Sequence, residues 1–371
     1  MRVSFGGVEE IMRFMQKRDI KSMTLSELEQ ELAASGEPRF RAKQIFEWMH
    51  GKRAESFSEM TNLPKALRER LSEQYEYTKV TVVEELTSAM DGTKKFLFGL
   101  SDGNVVESVW MRYQHGCSVC ISSQVGCRMG CMFCASTLGG LVRNLTASEM
   151  LEQVYQIGRM TGERVSHVVV MGTGEPLDNY DALLRFLAII SDENGLNISQ
   201  RNITVSTCGL VEQIRRLAGE KLQITLALSL HAPDQEKRER LMPVAGRYDI
   251  RDVVKACGDY FACTGRRITF EYALIGGVND TPKDAQALAA LIGKMNCHVN
   301  LIPVNPVKER SWVRSKPEVI AAFKNSLEKS GIPVTLRREM GKDINGACGQ
   351  LRRSRMENDR RIQTAVAGGE S

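Results

Sequence analysis

The feature that most constrains this chain is an alternation of strand-like and helix-like segments that begins at residue 118 and runs to residue 303. Strand candidates are SVCISSQ (118–124), SHVVVM (166–171), NITVS (202–206), QITLALS (223–229), RITFEYALI (267–275) and CHVNLIP (297–303). Between them, stretches with helical apolar spacing cover 147–160, 180–190, 209–219, 250–261 and 284–295. Short apolar runs that alternate with amphipathic helices imply a parallel sheet, barrel-like or open. In either form ligands bind at the C-terminal ends of the strands, so the residues just after each strand are the candidates for chemistry.

The first hundred residues follow another pattern. FRAKQIFEWMH (40–50) and LPKALRERLSEQY (63–75) have helical spacing, the second with Pro64 near its start. TKVTVVEEL (78–86) and KKFLFGL (94–100) read as strands joined by the turn MDGT. With 42% apolar and 26% charged residues in 371, a folded soluble protein is expected. The N-terminus lacks the apolar core of a signal peptide, and no apolar run reaches the ~18 residues of a membrane span. A cytoplasmic location is therefore expected.

The net charge of +5 is mild, but cations gather toward the C-terminus, among them Arg337, Arg338, Lys342, Arg352 and Arg353. A cationic end suits a phosphate-bearing partner; a solvated tail of mixed charge would have the same composition. The ten cysteines say more. Without export a disulfide scaffold is not expected, and clustered cysteines point to metal or redox chemistry. Cys257, Cys263 and Cys297 lie in apolar surroundings and read as small packing residues.

VGCRMGCMFCA sets Cys127, Cys131 and Cys134 in a C-x3-C-x2-C array just after the first strand of the alternating region. The spacing also fits one helical face, but Gly126 and Gly130 each cost about 1 kcal/mol inside a helix and suit a loop better. A zinc site or a fully ligated electron-transfer cluster would want a fourth ligand, which Cys117 or Cys120 could supply. Three thiolates alone leave one iron of a [4Fe–4S] cluster open. An open iron can chelate the amino and carboxylate groups of S-adenosylmethionine (SAM), and an electron from the cluster can then cleave a carbon–sulfur bond to give a 5′-deoxyadenosyl radical. This array, with Phe133 before its last cysteine, resembles the radical SAM superfamily.

Four further segments fall at strand ends. MGTGEPL (171–177) resembles the superfamily segment that contacts the SAM amino group, which assigns Gly174 and Glu175 to SAM; a tight turn alone would also use such glycines. STCG (206–209) and SLHA (229–232) carry Ser206, Ser229, Leu230 and His231, whose alternative roles are helix capping and structure. NPV (305–307) offers Asn305 for SAM or for a turn. Farther on, GKDINGACGQLRR (341–353) holds Cys348 among glycines and cations, a composition unlike a core and suited to a reactive thiol.

Taken in order, CISSQVGCRMGCMFCASTLGGLVRNLT (120–146), MGTGEPLDNYD, LALSLHAP, VNLIPVNP and GKDINGACGQLRR resemble the RlmN/Cfr family of radical SAM rRNA methyltransferases, and the resemblance runs from about residue 15 to 353. It implies an α/β fold: a partial (βα)6 radical-SAM barrel with a small, mainly helical N-terminal accessory domain and a C-terminal extension. The corresponding boundaries are 1–100 for an RNA-binding accessory domain with linker strands, 101–345 for the core barrel, and 346–371 for the segment carrying Cys348.

The resemblance also implies a mechanism and its residues. Cys127, Cys131 and Cys134 hold one [4Fe–4S] cluster. Two SAM molecules are used per turnover, the first methylating Cys348 and the second yielding the radical that removes a hydrogen from that S-methyl group. The carbon radical adds to an adenine; Cys120 then resolves the protein–RNA link by pairing with Cys348, and Glu107 accepts a proton. The implied target is carbon 2 of adenosine 2503 in 23S rRNA and of adenosine 37 in tRNAs, with carbon 8 of the same rRNA adenosine as the alternative of the Cfr branch. A low-potential donor such as flavodoxin, a monomeric state and no membrane are expected alongside. Two departures stand out: Cys117 is an extra thiol before Cys120, and Gly346–Ala347 stands where many members have two alanines. A non-enzymatic, metal-stabilised RNA-binding protein would instead require a four-ligand site that includes Cys117 or Cys120.

Overall fold

Thr24 and Glu27 cap each other's backbone at the start of α1 (Leu25–Ala34), a reciprocal box that satisfies two otherwise unpaired helix donors. With α2 (Arg39–Phe46), a following π turn (Glu47–Gly51) and α3 (Lys65–Gln74), it encloses Leu28, Ile45, Phe46, Met49, Leu67 and Leu71. Two short strands, β1 (Arg18–Asp19) and β2 (Tyr75–Glu76), pair in parallel and close this N-terminal unit. The computed structural model describes residues 17–304 and 312–344.

A single sheet follows. The meander β3 (Thr81–Thr87), β4 (Lys94–Gly99) and β5 (Val105–Tyr113) is antiparallel and pairs through β5 with β6 (Gly116–Cys120). The chain then forms a separate ribbon from β7 (Gln124–Gly126) and β8 (Leu141–Asn144). Beyond it every pairing is parallel: β6 to β9 (Val165–Val170), then β10 (Ile203–Thr207), β11 (Thr225–Ser229), β12 (Ile268–Leu274), β13 (Cys297–Pro303) and β14 (Val334–Leu336). The six expected strands are present, and β14 adds a seventh to the parallel run.

The expected strand 118–124 is in fact broken after Cys120. The Ser122 amide donates to the Gln153 side chain (2.8 Å), and the Ser123 amide to the carbonyl of Thr173 (2.9 Å), so this backbone leaves the ladder for other acceptors. The expected helices appear as α4 (Ala147–Thr161), α5 (Tyr180–Ser191), α6 (Val211–Gly219), α8 (Ile250–Thr264) and α9 (Pro282–Ile292); α7 (Gln235–Leu241) and α10 (Pro317–Lys329) join them. Cys257 and Cys297 are buried as expected, but Cys263 is exposed. Six residues on from Cys257 the helix has turned well away from the sheet, which corrects its reading as a packing residue.

Register separates the two faces of the sheet. Phe96, Val119, Val168, Val205, Leu226 and Phe270 belong to the core cluster shared with the helices. Their neighbours on the opposite face are often polar: Lys95, Glu107, Ser206, Ser229, Glu271 and Asn300. Lys95, Glu107 and Glu271 are themselves buried, so this face is a covered polar layer of the sheet. After β14 the chain crosses that face. Met340 packs against Val109, Met111 and Cys120. The Gly341 amide donates to Asp91 (2.9 Å), and the Asp343 carboxylate accepts from the Ser88 hydroxyl (2.6 Å) and the Ala89 amide (2.8 Å). The β14 edge is thereby tied to the β3–β4 turn at the other end of the sheet.

Candidate active site

The β7–β8 ribbon closes a loop that carries all three motif cysteines. Gly126 has φ +79°, and a Cβ there would stand 2.0 Å from the Gly140 carbonyl oxygen; Gly130 has φ +73°. Both glycines thus serve a loop rather than a helix. The loop is pinned by Cys127 N–H to Gly140 O (2.9 Å), Met132 N–H to Leu241 O (2.9 Å) and the Trp312 indole N–H to Met132 O (2.9 Å). The Thr137 hydroxyl donates to the carbonyls of Cys131 and Cys134.

Cys127, Cys131 and Cys134 line one cavity at the C-terminal ends of β9, β10 and β11, together with Gly174, Glu175, Ser206, Ser229 and His231. The segments picked out along the sequence therefore converge. Leu230 does not line the cavity; its side chain is fully buried in the core, while its amide donates to Glu271 O (3.1 Å). Asn305 and Cys348 lie outside the described residues. Cys117 and Cys120 are not part of the cavity wall either. The Cys117 thiol donates to the Glu163 carboxylate, and Cys120 sits in the cluster of Val109, Met111, Val169, Met171 and Met340. Met171 belongs to both the cavity and that cluster, and so connects Cys120 to the cavity.

The residues fit an iron–sulfur cluster. Burial pushes the Cys127 thiol up to about 12 and raises Cys131 as well, so thiolates at these positions need a compensating positive charge, which iron would supply. Among the described residues no three His, Cys, Asp or Glu side chains converge tightly enough to share a single metal ion. A cluster of four irons takes each thiolate on a different iron, and so accommodates thiols that stand apart.

The SAM-side residues are held firmly. Gly174 has φ +112°, and its Cβ would meet the backbone nitrogen of Gln124 at 2.8 Å. Glu175 accepts from the amides of Leu177 (3.0 Å) and Cys208 (2.7 Å), which braces the end of β9 against that of β10. Burial raises its pKa, opposed by those amides. The Ser206 and Ser229 hydroxyl oxygens lie 3.3 Å apart. His231 accepts from the Ala273 amide at Nδ1 (3.0 Å), which leaves the proton on Nε2; burial, aided by Arg238, lowers its pKa to about 3. The ring is neutral and meets Phe133 edge to face, with centroids 4.8 Å apart.

Glu107 lies on the same face of β5 as Val109, which pairs with Cys120. It is buried and ion-paired with Lys95 at 3.0 Å. Lys95 went unnoticed in the sequence, where KKFLFGL reads simply as a strand; only the β4–β5 register brings it to Glu107. Cys208 was also passed over. It lines the cavity, with its amide and thiol both bonded to Glu175, and its place directly after Ser206 and Thr207 at a strand end was the available signal.

A parallel sheet with an antiparallel edge, a three-cysteine loop after its first parallel strand and a glycine–glutamate turn after the second define a radical SAM enzyme, and residues 121–289 match the radical SAM superfamily. Residues 18–76 match the ribosomal RNA large subunit methyltransferase N-terminal domain. The chain is 61% identical over 339 residues to a probable dual-specificity RNA methyltransferase RlmN of Lachnoclostridium phytofermentans, covering 91% of this chain and 95% of that one. Its counterpart from Alkaliphilus oremlandii is 55% identical over 344 residues, covering 93% and 100%. The crystal structure of a radical SAM methyltransferase from Sphaerobacter thermophilus superposes with a TM-score of 0.85 at 46% identity, covering 90% and 98%. The chain belongs to the RlmN family of radical SAM methyltransferases.

Proposed function

We propose that this chain methylates carbon 2 of an adenosine in 23S rRNA and of the adenosine beside the anticodon in tRNA, using Cys348 as methyl carrier. When bound, the cluster and SAM supply a 5′-deoxyadenosyl radical. The Cys348 thiolate attacks the methyl carbon of a first SAM, S-adenosylhomocysteine leaves, and the methyl is held as S-methylcysteine until a second SAM is used. Glu107 accepts the proton that leaves the adenine carbon. The Cys120 thiolate attacks the carrier sulfur of the Cys348 S–CH2–adenine link; the S–S bond forms as the S–CH2 bond breaks, and the carbon keeps the electron pair and takes up a proton to become the methyl group. Ser206, Ser229 and the neutral His231, at the ends of β10 and β11, hold SAM, with Asn305 as a further contact. Residues 1–100 form an RNA-binding accessory domain, 101–345 the catalytic core and 346–371 the carrier segment. The enzyme acts as a cytoplasmic monomer fed by a low-potential donor such as flavodoxin. Among the described residues no helix is long and apolar enough to cross a membrane.

The observation that carries this reading is the meeting of Cys120, Glu107 and the C-terminal strap on one face. Glu107 and Cys120 share the inner face of β5 and β6, Met340 packs on Cys120, and Cys348 follows Ile344 by four residues in sequence. The relatives named RlmN support RNA as the substrate. In anaerobically reconstituted protein, Cys348→Ala should abolish RNA methylation while iron content and SAM cleavage persist. Undiminished methylation by that variant removes the carrier role. Mass mapping of the modified adenine decides the position, and a methyl on carbon 8 would overturn the carbon 2 assignment.

A further inference from the structure

Arg238 is a charged side chain in a place where charge is costly. It lies on α7, is fully shielded from solvent, and forms no salt bridge among the described residues. One of its nitrogens, Nη2, donates to the carbonyl of Cys208 at 2.6 Å. The other two, Nε and Nη1, are buried with no hydrogen-bond partner among the described residues. A guanidinium stays protonated in proteins, and an uncompensated buried charge costs several kcal/mol. A structure that retains one has an anion for it to face.

The surroundings identify that anion. The helix that bears Arg238 ends in Leu241, whose carbonyl pins the cysteine loop through Met132, and Met242 lines the cysteine cavity. Leu241, Met242 and Cys208 form one small packed cluster with Cys131, Met129 and Phe133. The titratable groups around Arg238 are the thiols of Cys208, Cys131 and Cys257 and the neutral imidazole of His231, and no carboxylate is among them. Arg238 is itself absent from the cavity wall, so it stands behind the site rather than in it.

We propose that Arg238 is the buried counter-cation of the iron–sulfur cluster, a positioning residue that offsets the charge of the thiolate-ligated cluster and favours its reduced form. A cluster with three thiolates becomes more negative by one electron on reduction. A fixed cation in a low-dielectric pocket stabilises the more negative state, and net charge and hydrogen bonding around the sulfurs are what set such potentials. The Cys208 carbonyl holds the guanidinium in place, and Nε–H and Nη1–H carry no other bond among the described residues. The inference rests on the cluster reading of Cys127, Cys131 and Cys134, and extends it to a residue that touches neither SAM nor RNA.

The test is an EPR-monitored redox titration of SAM-free, anaerobically reconstituted protein, with iron and sulfide content measured on the same samples. Arg238→Met and Arg238→Gln remove the charge, and Arg238→Lys keeps it. For a one-electron couple, a tenfold fall in the reduced-to-oxidised ratio at fixed potential corresponds to a midpoint about 59 mV more negative. A shift of at least that size is expected in the neutral variants, with Arg238→Lys close to wild type. Neutral variants that load iron fully with an unmoved midpoint overturn the proposal, as does a lysine variant shifted as far as glutamine. Should the neutral variants fail to hold a cluster, retention of iron by Arg238→Lys supports the charge role, and its loss there too overturns it. A wild-type protein that assembles no cluster would overturn the cluster reading itself, a result separate from the variant comparison.

Discussion

At Gly126 a side chain has nowhere to go, because the Gly140 carbonyl lies 2.0 Å from where a Cβ would stand and the backbone is left-handed there. The left-handed conformation alone costs an alanine roughly 1–2 kcal/mol, and the contact with backbone adds to that. Gly126→Ala should therefore open the β7–β8 ribbon, displace Cys127 and lower the iron bound per chain. Gly139→Ala, in open space within the same loop, should bind as much iron as wild type. Iron and sulfide analysis after reconstitution separates the two, and equal loading of both variants would refute the argument. The cysteines, the glycines and Glu175 were legible in the sequence because their chemistry resides in residue type and spacing. Arg238 was not. In QEKRERL it has the composition of a solvated helix face, and its burial is decided by how that helix packs under the cysteine loop.

At the level of elements, the alternation of strands and helices was readable, because burial on one face leaves a periodic signature. What the pattern missed was set by side chains reaching across the fold. Gln153, thirty-one residues on in sequence, takes the Ser122 amide and ends β6 early. The strap after β14 was unreadable for the same reason: nothing local in GKDI ties it to the turn at 88–93. Burial opposes ionisation of Asp91, but the Gly341 and Thr93 amides, with the Thr93 and Ser88 hydroxyls, hold its pKa at about 2. The Asp343 carboxylate is lowered too, first by the Ser88 hydroxyl. Both groups have depressed pKa values, so their contribution is complete above the ordinary aspartate range and is lost only as pH falls through the folded values. The clasp should hold unchanged across neutral pH. The double variant Ser88→Ala/Asp343→Asn should slow formation of S-methylcysteine at Cys348 by about tenfold through lost positioning, with iron content unaltered. Peptide mass spectrometry of single-turnover samples measures it, and an unchanged rate would detach the clasp from the carrier's placement.

Across the whole molecule, the N-terminal unit is fastened to the core through α4. Lys21 is buried and ion-paired with Glu152, its ammonium also donates to the Thr78 carbonyl (3.1 Å), and it lies 4.6 Å from the centre of the Tyr77 ring. Beside it His50, fully buried, shares a hydrogen bond with the Tyr155 hydroxyl (2.9 Å), and its Nε2 has no partner among the described residues. Glu152 keeps a second partner in Arg159 (3.1 Å), so Lys21→Ala removes a buried ammonium and its bonds without stranding the carboxylate, and should destabilise the protein by about 1–3 kcal/mol. The histidine makes the fastening sensitive to pH. Burial, reinforced by the nearby Lys21 charge, lowers the His50 pKa well below its ordinary value. Below about pH 6.5 the unfolded chain therefore binds a proton at this position that the folded chain refuses. Each further pH unit downward should cost ~1.4 kcal/mol of stability from this residue alone, until the folded pKa is reached. His231 is buried and neutral as well and adds a slope of the same sign, so the contribution of His50 has to be read as a difference. Urea unfolding of wild type and His50→Gln between pH 6.5 and 5 supplies it. The wild-type stability should fall more steeply by about 1.4 kcal/mol per unit, and two parallel lines would show that His50 is protonated in the folded protein.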